Sequence, residues 1–319
     1  MGLLGLVGLA ACETSSLAPR QTTVSPEARP DGLRPVAAAP VEPVVRRPSR
    51  ASRELAAYYQ RLQNDLLVRG LLRTDGGGPD TVFTDTMLAR NFENIALSTE
   101  HDLASGFDAR SSVAENIRKW ITPVRITVDF SENVPEEQRG EDLRWVDAYA
   151  AKLGRVTGHP VSMANTDANF LVLFVATDDT ATIPERIKQF VPEADLAALS
   201  VLRDLPRTVH CFVLAFATSR TGYDYGRAVA VVRSEHPDLM RRACIHEEIA
   251  QGFGLSNDNP RARPSIFNDD DEFALLTRHD ELLLKILYDD ALRPGMTADE
   301  ARSIVRRKAA ALLGTDLPG

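Results

Sequence analysis

Residues 247–258 read Glu247-Glu248-Ile249-Ala250-Gln251-Gly252-Phe253-Gly254-Leu255-Ser256-Asn257-Asp258. On a helix, Glu247 and Gln251 are four apart and face the same way, with Glu248 beside the first. Gly254 would end that helix and turn the chain, bringing Asn257 back toward its polar face. His246 stands next to this set but outside its register. It is five residues from Gln251, about 140° round a helix, and its own i+4 position is Ala250, which has no polar side-chain atom. An ordinary amphipathic helix closed by a glycine cap accounts for the same residues. Outward from this stretch, Pro237 opens the helix, predicted over about 238–253.

The metzincin zinc signature H-E-x-x-H-x-x-G-x-x-H places two His at i, i+4, a Glu base beside the first, and a third His after a turning Gly. In that register the base is Glu248, the turn is Gly254, and the three ligand positions hold Glu247, Gln251 and Asn257. A second segment, Leu276-Thr277-Arg278-His279-Asp280-Glu281-Leu282-Leu283-Leu284-Lys285-Ile286-Leu287-Tyr288, resembles the closing helix of matrix-type metzincins at Leu276, Thr277, Asp280, Leu284, Leu287 and Tyr288. Between the two lies Ser265-Ile266-Phe267, where metzincins carry their Met-turn; Phe267 would supply the apolar floor. The order also resembles a family of bacterial envelope proteins, domain of unknown function 2927, which shares the His-Glu-Glu and Gly-Leu-Ser-Asn-Asp wording. The resemblance spans roughly residues 80–296 and is specific only over 244–296.

The resemblance implies an α/β (α+β) fold. Its parts would be a zincin-like twisted mixed sheet, a long backing helix, the signature helix and a helical C-terminal subdomain. It also implies a site without its metal. Zinc is held by His, Cys and carboxylate, and a bound water is activated by the neighbouring Glu. Gln251 and Asn257 offer neutral amides, and Glu247 alone supplies charge, so zinc is not expected. The function expected is therefore a non-catalytic pseudopeptidase that binds a peptide or envelope protein. Its binding set would be Glu247, Gln251, Asn257, Asp258 and His246, with an exposed edge strand within 227–233 to add an extended peptide. The alternative is an unorthodox hydrolase using Glu247 and Glu248, with or without a metal, with Glu248 catalytic. Glu247, Glu248, Asn257, Asp258, Asn268, Asp269, Asp270 and Asp271 form an oxygen-rich set that would suit a hard cation, although no EF-hand spacing is present. His236 and His279 read as capped or solvent-facing histidines, and Ser265 lacks the context of a serine nucleophile.

Composition bounds the rest. A chain of 319 residues, 44% hydrophobic and 26% charged, can bury a real core. The net charge of −8, with no basic stripe, argues against nucleic acid as a partner. Near the start, an apolar run leads to Leu9-Ala10-Ala11-Cys12, which reads as a lipobox. The run is too short to span a bilayer and lacks a basic lead; a truncated signal peptide or a coincidental Cys after small residues is the competing reading. The lipobox predicts a lipidated Cys12 as membrane anchor. The location would be the bacterial cell envelope, on the outer membrane facing the periplasm. With Cys12 set aside, Cys211 and Cys244 remain; in an oxidising compartment an even pair suggests one disulfide, against two separate buried thiols.

The chain divides accordingly. Residues 1–12 form the signal segment, and 13–50 a Pro/Ala-rich tether, extended in part as polyproline II. Residues 51–79 hold an amphipathic helix (Leu55, Tyr59, Leu62, Leu66) and a Gly linker. Residues 80–296 form the main domain and 297–319 a last helix. Strands are predicted at 124–130, 170–176, 209–217 and 227–233. A long helix is predicted at 141–155, and a helix broken by Pro192 at 185–203. Thr277 caps the closing helix, and Thr297 with Glu300 makes a capping box.

Overall fold

The computed structural model describes residues 47–99, 113–114, 116–268 and 270–315. Cys12, the lipobox, most of the tether and Asp269 lie outside these. The first helix, α1 (Arg50–Val68), is capped by Ser49, whose side chain accepts from the Ser52 amide. It buries Tyr59 and Leu66 against Leu72, Met240 and Ala274. The glycine-rich stretch that follows, expected as a linker, is docked. Leu72 and Arg73 amides donate to the carbonyls of Asp271 and Glu272, and the Arg278 amide donates to Gly76.

Helix α2 (Asp85–Ala96) was not foreseen. Its signals are present: Thr84 caps it, Asp85 lies in its first turn, and Leu88, Phe92 and Ile95 recur at helical spacing. Two short strands, β1 (Ser98–Thr99) and β2 (Val113–Ala114), pair antiparallel. The main sheet is built from β3 (Val124–Phe130), β4 (Val161–Met163), β5 (Phe170–Val175), β6 (Cys211–Ala217) and β7 (Tyr225–Arg233). The long α3 (Glu136–Thr157) joins β3 to β4. After β5 come a 3-10 helix (Thr177–Thr182), α4 (Ile183–Phe190) and α5 (Leu196–Leu199), the last two separated around Pro192 as the sequence indicates. Helices α6 (Asp238–Gly252), α7 (Arg278–Leu287) and α8 (Ala298–Leu313) complete the fold. Both predicted caps are present: Thr277 with Asp280 on α7, and Thr297 with Glu300 on α8, each a full capping box.

The sheet order is β4-β3-β5-β7-β6, with β6 antiparallel to β7 and the other pairings parallel. The fold is thus mixed α/β. Alternation along the strands sends Phe170, Val172, Phe174, Ala228, Ala230 and Val232 into the core with α3, α6 and α7. Leu171, Leu173, Val175, Val229 and Val231 face the other way, into a core with α4 and the segment after it. One expectation is corrected here. Residues 227–233 are not an exposed edge, because β7 is paired with β5 on one side and β6 on the other. The near-continuous apolar run from Ala228 to Val232 is the pattern of a strand buried on both faces. The edge beside α6 is β6. Among the described residues no helix is long and apolar enough to cross a membrane.

Candidate functional site

Helix α6 is fixed at both ends before it presents any functional group. At its start Arg241 is buried, with its Nε donating to Asp142 Oδ1 of α3 at 2.7 Å and its Nη1 to the His236 carbonyl at 2.7 Å. One turn on, Cys244 is joined to Cys211 at the head of β6 by a disulfide, as the cysteine count anticipates. At the far end the Trp120 indole donates to the Gly252 carbonyl at 2.9 Å and the Tyr288 hydroxyl to the Phe253 carbonyl at 2.9 Å. Both bonds occupy carbonyls that a helix end leaves without an internal partner. Glycine is required there: a Cβ on Gly252 would lie 2.6 Å from the Phe170 ring, so α6 seats directly on the sheet.

Between these anchors stand Glu247, half-buried, and Glu248, 4% exposed. Their carboxylates and Cys211 Sγ all lie within 4.8 Å of one another, and this is the metal-capable group of three or more among the described residues. The sulfur is committed to the disulfide, so in this state the group offers carboxylate alone. One turn on, the buried Gln251 donates from Nε2 to Asp258 Oδ1 at 3.3 Å.

Asn257 takes a different course from the one the sequence suggests. Its Nδ2 donates to the Asn94 carbonyl at 2.8 Å and its backbone amide to the Ile95 carbonyl at 3.1 Å. Both acceptors are last-turn carbonyls of α2. Asn257 therefore secures the end of an unforeseen helix, at a sequence separation that no local pattern reveals. Gly254, at φ +118°, makes the turn that leads there.

His246 is also absorbed by the fold. Its Nδ1 accepts from the Leu276 amide at 3.0 Å, and its ring stacks on Tyr149. Burial, with Lys152 and Arg242 nearby, pushes its pKa down to about 3, so the imidazole is neutral. The oxygen-rich stretch beyond is likewise spent on turns: Asn268 Oδ1 accepts from the Asp270 amide, and Asp270 Oδ1 from the Glu272 amide. Phe267 is fully buried.

The buried centre behind the site is Asp280. Its Oδ1 accepts from Ser265 Oγ at 2.6 Å; its Oδ2 accepts from the amides of Ile266 and Thr277 and from Thr277 Oγ1. This joins the Ser265–Phe267 turn to α7. His279, read as a capped or exposed residue, is instead fully buried, with its Nε2 accepting from Asn91 Nδ2 at 3.1 Å. His236 is corrected in the same way: it is 2% exposed and packs edge-on against Tyr59 and His210. A lone histidine carries no sequence signal that separates these outcomes.

The family model described as a protein of unknown function, DUF2927, matches residues 85–307. No curated protein and no solved structure matches the chain. The chain belongs to the DUF2927 family.

Proposed function

We propose that this is a lipid-anchored envelope protein with a metzincin-like fold that binds an extended peptide without cleaving it. The observation that carries the reading is where the amides at two of the three ligand positions go. Gln251 is paired with Asp258 and Asn257 with α2, so these positions are built into the protein's own hydrogen bonding. The order of strand, long helix, strands and signature helix also supports it.

For peptide recognition the relevant element is β6. Among the described residues it is the antiparallel edge strand, paired with β7, and its head is bonded to α6 at Cys211. An edge strand presents amides and carbonyls that an extended peptide can pair with, side chains then being read at alternate positions. Anchoring rests on the Leu9-Ala10-Ala11-Cys12 sequence and the proline-rich stretch behind it.

The test is hydrogen exchange across Cys211–Ala217 with and without a library of extended hexapeptides. Slowed exchange in β6 on addition of a binding peptide supports the reading. Exchange in β6 that no peptide alters contradicts it, wherever else a peptide lands.

A further inference from the structure

Helix α1 has two unlike faces. Leu55, Tyr59, Leu62 and Leu66 form the stripe packed on the rest of the protein. The Ser52 hydroxyl donates to Glu235 Oε1 at 2.8 Å and the Tyr59 hydroxyl to the Arg207 carbonyl at 2.8 Å, so the helix is held in place. The opposite stripe, Arg50, Arg53, Ala57, Arg61, Asn64 and Val68, recurs at helical spacing and is exposed throughout. Arg47 and Arg69, also exposed, extend it at either end. Segment 47–69 thus carries five arginines against Glu54 and Asp65, in a chain whose net charge is −8. Glu54 and Asp65 pair with Arg50 and Arg69, which leaves Arg53 and Arg61 without an ion pair among the described residues. Arg207 adds a further cation beside the helix, its guanidinium 4.8 Å from the centre of the Tyr58 ring. The helix also ends on apolar side chains in water: Leu67 is 45% exposed and Val68 89%.

We propose that this outer face of α1 rests on an anionic bilayer surface. Guanidinium groups match lipid phosphates in charge and geometry. The attraction grows with each basic residue near the surface, and exposed aliphatic side chains at the helix end enter the headgroup region. Because the inner face stays docked, the helix makes this contact as part of the domain, without detaching. The acidic remainder of the chain is repelled by the same surface, so the contact also sets which side of the domain faces the membrane. The inference rests on the anchored reading for bringing the domain to a bilayer. The contact itself needs no lipid on Cys12.

The test is sedimentation of the full chain carrying Cys12→Ser with lipid vesicles, so that surface binding and lipidation are read separately. Vesicles with about one-third phosphatidylglycerol should bind it at least about tenfold more tightly than phosphatidylcholine alone, and about 0.5 M salt should remove the difference. Arg53→Gln with Arg61→Gln should weaken binding to the anionic vesicles at least about fivefold. Arg306→Gln with Arg307→Gln removes the same charge from exposed positions of α8 and should change binding less than about twofold. Both pairs should keep the parent's melting temperature. In a Val68→Trp variant, fluorescence emission should shift to the blue on the anionic vesicles. The proposal is overturned if phosphatidylcholine binds the protein as well as the anionic vesicles do, if the two arginine pairs have the same effect, or if the emission of the Val68→Trp variant stays where it is. A lipid-free Cys12 in the parent would refute the anchor without touching this outcome.

Discussion

The Tyr149 hydroxyl donates to the His246 carbonyl at 2.8 Å, while its ring lies nearly parallel to the His246 imidazole with centroids 4.0 Å apart. A residue of α3 thereby grips α6 just before Glu247. The imidazole is held neutral, its pKa down at about 3.

This gives a pH dependence with a definite sign. In the unfolded chain His246 titrates near its ordinary value of about 6.5; in the folded chain it does so near 3. Between these values the unfolded state binds the extra proton, so stability is full above the upper value and is lost as pH falls toward the lower one. At pH 5 the loss from this group is about 2 kcal/mol. Urea unfolding at pH 7 and pH 5 should show wild type losing that much more than His246→Asn. Equal losses would refute it.

Gly254 is the next test. At φ +118° its conformation disfavours any other residue, and a Cβ would run into the Arg118 carbonyl and meet Leu287 Cδ2 at 3.0 Å. Gly254→Ala should destabilise the protein by more than about 2 kcal/mol. An unchanged denaturation midpoint would show that the turn relaxes freely.

These two residues illustrate what the sequence made legible. Gly254 was readable because its role is local: a glycine after a helical run. The same holds for the caps at Thr277 and Thr297, for β3, and for the break around Pro192. The destinations of Asn257, His236 and His279 were not readable, because their partners lie elsewhere in the chain. Asn257 and Asn94 are 163 residues apart. The interior position of β7 was signalled by its apolar run, but β6 as edge strand required the whole pairing order. The disulfide followed from a count of cysteines, whereas the groups around it needed the fold.

Asp280 should be among the least replaceable residues. Four donors from Ser265, Ile266 and Thr277 converge on its buried carboxylate. Asp280→Ala leaves three of them unpaired, the Thr277 hydroxyl keeping the Pro264 carbonyl as acceptor, and should cost at least about 3 kcal/mol, lowering the melting temperature sharply, with Asp280→Asn milder. A cost below about 1 kcal/mol would mean that the network repacks.

Anchoring is tested at Cys12. Cys12→Ser should move the protein from the membrane fraction to the soluble fraction of the envelope, and mass spectrometry of the parent should find a lipid on Cys12. A variant that stays on the membrane, with a lipid-free parent, would refute the anchor.

The central claim is that this helix and its turn bind without catalysing. Its most direct measurement is zinc content and peptide cleavage on oxidised protein purified without chelator or added metal, for the parent and Glu248→Ala. The account predicts no stoichiometric zinc and no cleavage by either, with Glu248→Ala altering stability or peptide affinity. One zinc per chain, together with peptide cleavage that Glu248→Ala abolishes, would contradict it.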